Sequence, residues 1–288
     1  MARRPSPPER RSRARPAERR SGGGGSELTA RILVGVPAAI VAVVMVALGG
    51  WFWAATALVL GIVAVGELFD MYVRVAPVRL AGFVAIAGFV VAGELGGPDQ
   101  VMIVTVALFP VAFLLALVTG ADRPTVTARL SLTAFGTLWI GLAVAHAVML
   151  RELPHGDGII IAVLVGTFLG DTGAYLGGRA FGRRKLAPEI SPNKSVEGLV
   201  IGMVVAVVAT WAAGLYQDWI GMGQSALLGL VVAVIAPLGD LFESQVKRDA
   251  GTKDAGRLFG VHGGALDRLD AALFSLVAAY WVWRAMLG

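Results

Sequence analysis

Nine apolar stretches determine what this chain can fold into. Several reach the roughly 20 residues that a helix needs to cross a bilayer, and the 288-residue sequence is 56% hydrophobic with a mean hydropathy of +0.73. In lipid every backbone polar group needs an internal partner, which a helix provides within one segment. The alternating pattern of a spanning β-strand is absent. The predicted spans are Ile32–Leu48, Trp51–Phe69, Leu80–Leu95, Val101–Thr119, Leu130–Leu150, Ile159–Leu176, Val196–Leu215, Ala226–Leu241 and Leu269–Leu287.

The placement of positive charge indicates the topology. Cytoplasmic loops of membrane proteins carry an excess of Lys and Arg. With the N-terminus inside, the predicted inner segments hold 23 of the 25 Lys and Arg residues, and Arg151 and Arg284 fall outside. We therefore expect an all-α polytopic protein of about nine transmembrane helices in the inner (cytoplasmic) membrane. Its N-terminus is expected in the cytoplasm, its C-terminus on the outer side and its active site on the cytosolic face.

The N-terminal tail and the rare residue types narrow the chemistry. Residues 1–27 carry eight arginines and few bulky apolar residues, so we predict a disordered basic cytoplasmic tail. It could touch anionic lipid headgroups or only help to set the topology. The absence of cysteine excludes disulfides, thiolate catalysis and Cys-based zinc sites. With three histidines in the chain, a metal is expected on oxygen ligands, which favours Mg²⁺.

Four aspartates lie at predicted inner ends of spans, where ionisable side chains are costly and usually functional. Asp171 and Asp240 come near the ends of the sixth and eighth spans, and Asp267 and Asp270 precede or open the ninth. Because the eighth and ninth spans form a hairpin, Asp240 and Asp267 are expected to face each other as carboxylates suited to Mg²⁺. Asp267 and Asp270 could instead only favour a helix N-terminus. Asp240, at a predicted helix C-terminus, needs a cation or a donor.

Two long inner loops contain every lysine of the chain. The first, 177–198, combines glycines, basic residues and hydroxyls, and its Ser-Pro-Asn-Lys-Ser run leads into a helix, whose N-terminus can bind anions. Phosphate binding and a simple positive loop with a helix cap are equally compatible with it, and the Walker A spacing is absent. The lysines are Lys185, Lys194, Lys247 and Lys253.

The second loop carries a long spaced motif. From Ser244 to Asp270 it reads S-x-x-K-R-x4-K-D-x-G-x2-F-x2-H-G-G-x2-D-R-x-D, which resembles the signature of the phosphatidate cytidylyltransferase family. The segment Asp171–Gly198 resembles a second motif of that family. The likeness is close over about Gly166–Ala272, whereas the first five spans agree only in hydropathy. Three mild departures from the family pattern are Gly260, Ala265 and Ser195.

The resemblance implies that CTP and phosphatidic acid react to give CDP-diacylglycerol and pyrophosphate, with Mg²⁺ and room for a second cation. It also implies a homodimer among membrane lipids, and no nucleic acid is expected as a partner. It supports Asp240 and Asp267 as metal ligands. Catalytic roles are expected for Asp171, Lys194, Lys247, Arg248, Lys253 and His262. Substrate contacts are expected for Tyr175, Arg179, Lys185, Ser191, Pro192, Ser195, Glu197, Asp254, Gly263, Gly264 and Arg268.

Other functions remain open at this stage. A CTP-dependent polyprenol kinase, or nucleotidyl transfer to another lipid, uses overlapping nucleotide chemistry. A CDP-alcohol phosphotransferase would need a D-G-x2-A-R motif, which the sequence lacks. A transporter would often show internal repeats and midplane charges, and neither is evident. Beyond the tail, we predict five N-terminal spans in residues 28–150 and a catalytic region of four spans and two loops in residues 151–288.

Overall fold

The computed structural model describes residues 37, 39–119, 125–256, 258 and 263–288. Within that part of the chain nine α-helices follow one another, and each predicted span overlaps one of them. Residues 32–36 and 38 of the first predicted span and the predicted tail, residues 1–27, lie outside the described residues. The described residues from 39 to 288 belong to one compact unit. The helices are α1 (Ala39–Leu48), α2 (Gly50–Met71), α3 (Arg79–Leu95), α4 (Pro98–Val118), α5 (Val126–Glu152), α6 (Gly156–Phe181), α7 (Val196–Gly214), α8 (Met222–Asp249) and α9 (Leu266–Leu287).

Seven of these helices, α2 and α4 to α9, are long and apolar enough to cross a membrane. This confirms the prediction of an all-α polytopic membrane protein. The described part of α1 is shorter, and α3 has 17 residues. The total of nine spans and the sidedness of the termini therefore stay predictions, as does the division into three regions.

A short hairpin interrupts the helices between α6 and α7. Strand β1 (Lys185–Ala187) pairs antiparallel with β2 (Ser191–Ser195), with Lys185 opposite Ser195. This segment was predicted to be a loop. The helix predicted directly after Ser195 is confirmed, because Ser195 is the N-cap of α7 and its hydroxyl accepts a hydrogen bond from the Gly198 N–H at 3.1 Å.

The extent of helix α8 corrects the predicted position of Asp240. Asp240 was placed at a helix C-terminus, but the helix continues from Asp240 to Asp249. Hydropathy falls after Leu241, whereas Glu, Gln, Lys and Arg are good helix formers, so the helix extends past the apolar stretch. Asp240 therefore lies inside the helix, and the dipole of a helix end does not bear on it. Helix α6 likewise extends to Phe181, beyond its predicted end at Leu176.

Close helix packing brings the C-terminal end of α6 and the N-terminal end of α7 together. A Cβ added at Gly198 would stand 2.6 Å from the Ala174 carbonyl oxygen, and one at Gly202 would stand 2.6 Å from the Ala174 Cβ. Small residues allow such approach between membrane helices. Helix α8 then packs on α7 and α9, so α6, α7, α8 and α9 surround one region at the end that carries the hairpin.

Candidate active site

A cavity of about 580 Å³ lies between α6, α7, α8 and the hairpin. It brings together predicted site residues of the Asp171–Gly198 segment and Asp240 of α8, which precedes the second motif by four residues. The cavity walls also contain small apolar residues such as Gly170 and Ala236, which leave its interior open. The predicted site residues that line it are Asp171, Tyr175, Arg179, Ser191, Lys194, Ser195 and Asp240.

An ion pair joins the hairpin to α8 at this cavity. Strand β2 supplies Lys194, whose ammonium group contacts the carboxylate of Asp240 on α8. Their side chains are 28% and 24% exposed, so the pair is open to a ligand in the cavity. One turn further along α8, the Ser244 hydroxyl donates to Asp240 Oδ1 at 3.4 Å. Asp171 on α6 interacts electrostatically with both members of the pair.

A second ionic cluster lies where α8 meets α9. Lys247 Nζ stands 2.5 Å from Glu243 Oε2 and 2.6 Å from Asp267 Oδ1. Glu243 is fully buried, and its contact with Lys247 lacks hydrogen-bond geometry. Asp267 also accepts from the Ala255 N–H at 2.9 Å and from the Gly264 N–H at 2.7 Å. The lysine thus forms ion pairs with two carboxylates that come from different helices.

Asp270 connects the two clusters. It interacts electrostatically with Asp240, Glu243 and Asp171, and its carbonyl oxygen would stand 2.7 Å from a Cβ on Gly239. Asp171, Asp240 and Asp270 thus interact with one another beside Lys194, whereas Glu243 and Asp267 pair with Lys247. Such an excess of negative oxygen donors in a partly buried place suits a hard cation such as Mg²⁺.

The two predicted metal ligands differ in how much acceptor capacity they retain. A carboxylate offers about four lone-pair positions. Asp267 receives one N–H contact from Lys247, contacts to both oxygens from Ala255, and one from Gly264. Asp240 receives Lys194 and the long Ser244 contact within the described residues. Asp240 is thus better able to accept a cation. No three His, Asp or Glu side chains converge as a ligand group in the described ranges.

Several other predicted residues make contacts within the protein. Arg248 Nε donates to the Ile190 carbonyl oxygen and Arg248 Nη1 to that of Thr252, both at 3.0 Å, so it ties the hairpin to the α8–α9 loop. The Glu197 carboxylate accepts from the Arg183 and Arg184 N–H groups at 2.9 and 3.1 Å. These contacts account for both side chains without a ligand, and their predicted roles stay predictions.

The remaining predicted residues fall into three groups. His262 lies outside the described residues, so its role stays a prediction. Gly263 and Gly264 precede α9, and Gly263 has a φ of 81°, which favours glycine. The exposed members, whose roles also stay predictions, are Lys185, Pro192, Lys253, Asp254 and Arg268.

Two buried acids near the site were not selected from the sequence. Glu243 precedes Lys247 by four residues, a spacing that pairs side chains on a helix, and extending α8 would have revealed it. Glu67 lies in α2 and is 9% exposed. Its signal was also present, because a glutamate inside an apolar span is a functional candidate by default.

Comparisons with known proteins agree over most of the chain. The model of the cytidylyltransferase family matches residues 29–286. A phosphatidate cytidylyltransferase of Mycobacterium bovis is 32% identical over 302 aligned residues, which cover 97% of this chain and 95% of that protein. One of Bacillus subtilis is 33% identical and covers 89% of this chain and 97% of its own length. One of Pseudomonas aeruginosa is 41% identical over 52% of each chain.

Proposed function

Because the chain belongs to the cytidylyltransferase family, we propose that it transfers the cytidylyl group of CTP to phosphatidic acid, giving CDP-diacylglycerol and pyrophosphate. The observation that carries this proposal is the Lys194–Asp240 pair at a cavity between membrane helices. The pair puts an ammonium group and a carboxylate at the wall of a cavity that a charged lipid headgroup can enter. The rest of that wall is largely apolar, which suits the lipid.

The chemistry needs little covalent help from the protein. A phosphate oxygen of phosphatidic acid attacks the α-phosphorus of CTP. The new P–O bond forms as the bond from the α-phosphorus to the bridging oxygen breaks, and that electron pair leaves with pyrophosphate. The nucleophile is already anionic, so the main barrier is repulsion between two charged phosphates. Fixed positive groups aimed at the reacting oxygens lower such a barrier.

The lysines are suited to that task in different ways. Lys194 lines the cavity and is positioned by β2 and by its pair with Asp240. Lys247 is held between Glu243 and Asp267 and is only 12% exposed, so its position is more tightly fixed. We assign Lys194 to a phosphate of CTP and Lys247 to a phosphate at the junction of α8 and α9.

Mg²⁺ is part of the proposal. Asp240 would hold it, with Asp171 and Asp270 as neighbouring carboxylates. Asp267, the second predicted ligand, would have to release one of its contacts with Lys247, Ala255 and Gly264 to bind the cation. When bound, the cation supplies charge neutralisation at phosphate oxygens. The same carboxylate excess would accommodate a second cation.

The placement in the membrane follows from charge. The excess of Lys and Arg in the predicted inner loops supports a cytoplasmic N-terminus, an outer C-terminus and a site at the inner face of the cell membrane. There cytosolic CTP and membrane phosphatidic acid can meet. The homodimer and the surrounding lipid partners that the family resemblance implies belong to the same proposal.

Purified protein in detergent micelles is expected to move label from the α-phosphorus of CTP into lipid when phosphatidic acid is present. Chelation of divalent cations is expected to abolish this transfer, and added Mg²⁺ to restore it, because the carboxylate cluster binds the cation. Thin-layer chromatography of the lipid product measures both.

The same assay separates the alternatives. Transfer of label from the γ-phosphorus of CTP to a polyprenol would identify a kinase instead. Transfer of the α-phosphorus to another lipid phosphate, but not to phosphatidic acid, would identify a different nucleotidyltransferase. Unchanged activity after complete chelation would contradict the role of a divalent cation.

Substitution of Lys194 by alanine is expected to raise KM for CTP or lower kcat, so that kcat/KM falls by at least about tenfold, the effect of a lost charged hydrogen bond. Lys194→Arg keeps the charge and serves as the matched control, with a smaller loss. Steady-state kinetics at saturating phosphatidic acid measure both. Unchanged values for Lys194→Ala would remove this lysine from the site.

A further inference from the structure

A buried acid of helix α2 contacts the catalytic region. The Glu67 carboxylate accepts the Ala265 N–H at 3.0 Å and the Leu266 N–H at 2.9 Å, which are separated from it by 198 and 199 residues in sequence. Glu67 thus belongs to the N-terminal part of the chain, which resembles the family only in hydropathy, yet it contacts the start of α9.

The start of α9 lacks a cap of its own. Its N-cap residue is Ala265, whose methyl group accepts no hydrogen bond. The first N–H groups of a helix need partners and attract negative charge. Glu67 supplies both from another helix, and its two oxygens take one N–H each, so the carboxylate fixes the direction in which α9 begins.

This contact explains why two positions of the long motif are glycine. A Cβ added at Gly256 or at Gly264 would collide with the Glu67 carboxylate. The backbone at Gly256 and at Gly264 therefore lies against the Glu67 carboxylate. This packing accounts for glycine at both positions by space, without reference to a substrate.

The contact continues directly to the ionic cluster. Asp267 follows Leu266 by one residue, accepts the Gly264 N–H, and stands 2.6 Å from Lys247 Nζ. Glu67 and Asp267 therefore both fix the turn of residues 264–267. Glu67 does so through two N–H groups of the turn, and Asp267 through the Gly264 N–H and Lys247. A shift of this turn would move the carboxylate that positions Lys247.

Other residues at the same end of α2 hold different parts of the region. The Tyr72 hydroxyl donates to the Val246 carbonyl oxygen at 2.9 Å, and the Thr252 hydroxyl lies 3.5 Å from Met71 Sδ. Neither touches the turn that carries Asp267. They allow general support of α8 to be separated from the action of Glu67.

We propose that Glu67 is a positioning residue for this reaction, which fixes the first turn of α9 and, through Asp267, aligns Lys247 on a substrate phosphate. The proposal rests on the proposed function, because it assigns Lys247 to a phosphate of CTP or phosphatidic acid.

Glu67→Gln is the direct test. The amide nearly keeps the size of the side chain but offers one acceptor oxygen in place of two. We expect kcat to fall and KM for CTP or for phosphatidic acid to rise at least about fivefold. The change in KM is the informative readout, because loss of folded protein lowers the apparent kcat and leaves KM unchanged.

Two further variants complete the design. Tyr72→Phe removes a hydrogen bond from the same end of α2, and both KM values are expected to stay within about twofold of the original. Gly256→Ala leaves Glu67 in place but pushes its carboxylate aside, and the KM rise is expected there too. It carries the test if Glu67→Gln yields no monodisperse protein.

The outcomes separate this proposal from the proposed function. If the unaltered protein and Tyr72→Phe make CDP-diacylglycerol, the assigned reaction stands. If Glu67→Gln and Gly256→Ala then change yield or kcat but leave both KM values within about twofold, Glu67 only stabilises the fold and the positioning role is wrong. If the unaltered protein makes no CDP-diacylglycerol, it is the assigned reaction that fails.

Discussion

Replacing Asp240 with asparagine is expected to lower kcat/KM for CTP by about 10³-fold or more, the scale of losing one preorganised electrostatic group. Asparagine keeps the volume but removes the charge that pairs with Lys194 and that has acceptor capacity for a cation. The protein is expected to insert and purify normally, because the side chain is partly exposed and isosteric. Kinetics with labelled CTP and size-exclusion profiles measure the two results.

A matched control lies on the same helix. Asp249 ends α8, is exposed and accepts from Gln245 at 2.8 Å. Asp249→Asn changes the net charge equally but is far along the helix from the cavity lining, and activity within about twofold of the original is expected. Near-normal activity of Asp240→Asn would refute the assignment of Asp240 to the site.

Replacing Lys247 with methionine is expected to abolish activity and to destabilise the protein by about 3–5 kcal/mol, the cost of breaking a buried ion pair on one side. The substitution leaves Glu243, which is fully buried, and Asp267 without the cation between them. Thermal unfolding in detergent measures the stability, and labelled-CTP kinetics measure the activity.

A second substitution separates these two effects. Adding Glu243→Gln to Lys247→Met removes the buried charge that the lysine neutralised, so much of the lost stability is expected to return. Activity is not expected to return, because the ammonium group assigned to a phosphate is still missing. Recovery of activity in the double variant would show that Lys247 acts only in folding.

The sequence predicted the helices well and their ends less well. A stretch of apolar residues is a local signal, so the nine segments could be read from neighbouring residues alone. The ends of α6 and α8 depend on backbone hydrogen bonding, which continues through polar residues such as Glu243 and Lys247 after hydropathy has fallen. For that reason Asp240 was assigned to a helix end although it lies inside α8.

The sequence predicted which residues belong to the candidate site better than it predicted which of them pair with each other. Asp171, Lys194 and Asp240 were selected, and the structure brings all three to one cavity. The facing of Asp240 and Asp267 was argued from a hairpin of two helices. In the structure each contacts a lysine, and Asp270 interacts with carboxylates of both clusters.

The amino-acid sequence by itself determined that this chain is a helical membrane protein and which segments carry the charged residues of its site. Short stretches of neighbouring residues are enough to indicate both. Only the tertiary structure decided which charges meet. The Lys194–Asp240 pair depends on how distant helices pack. So does the hydrogen bond from the start of α9 to Glu67, which is 199 residues away in sequence. Packing is fixed by the fit of many side chains at once, and no local pattern records it.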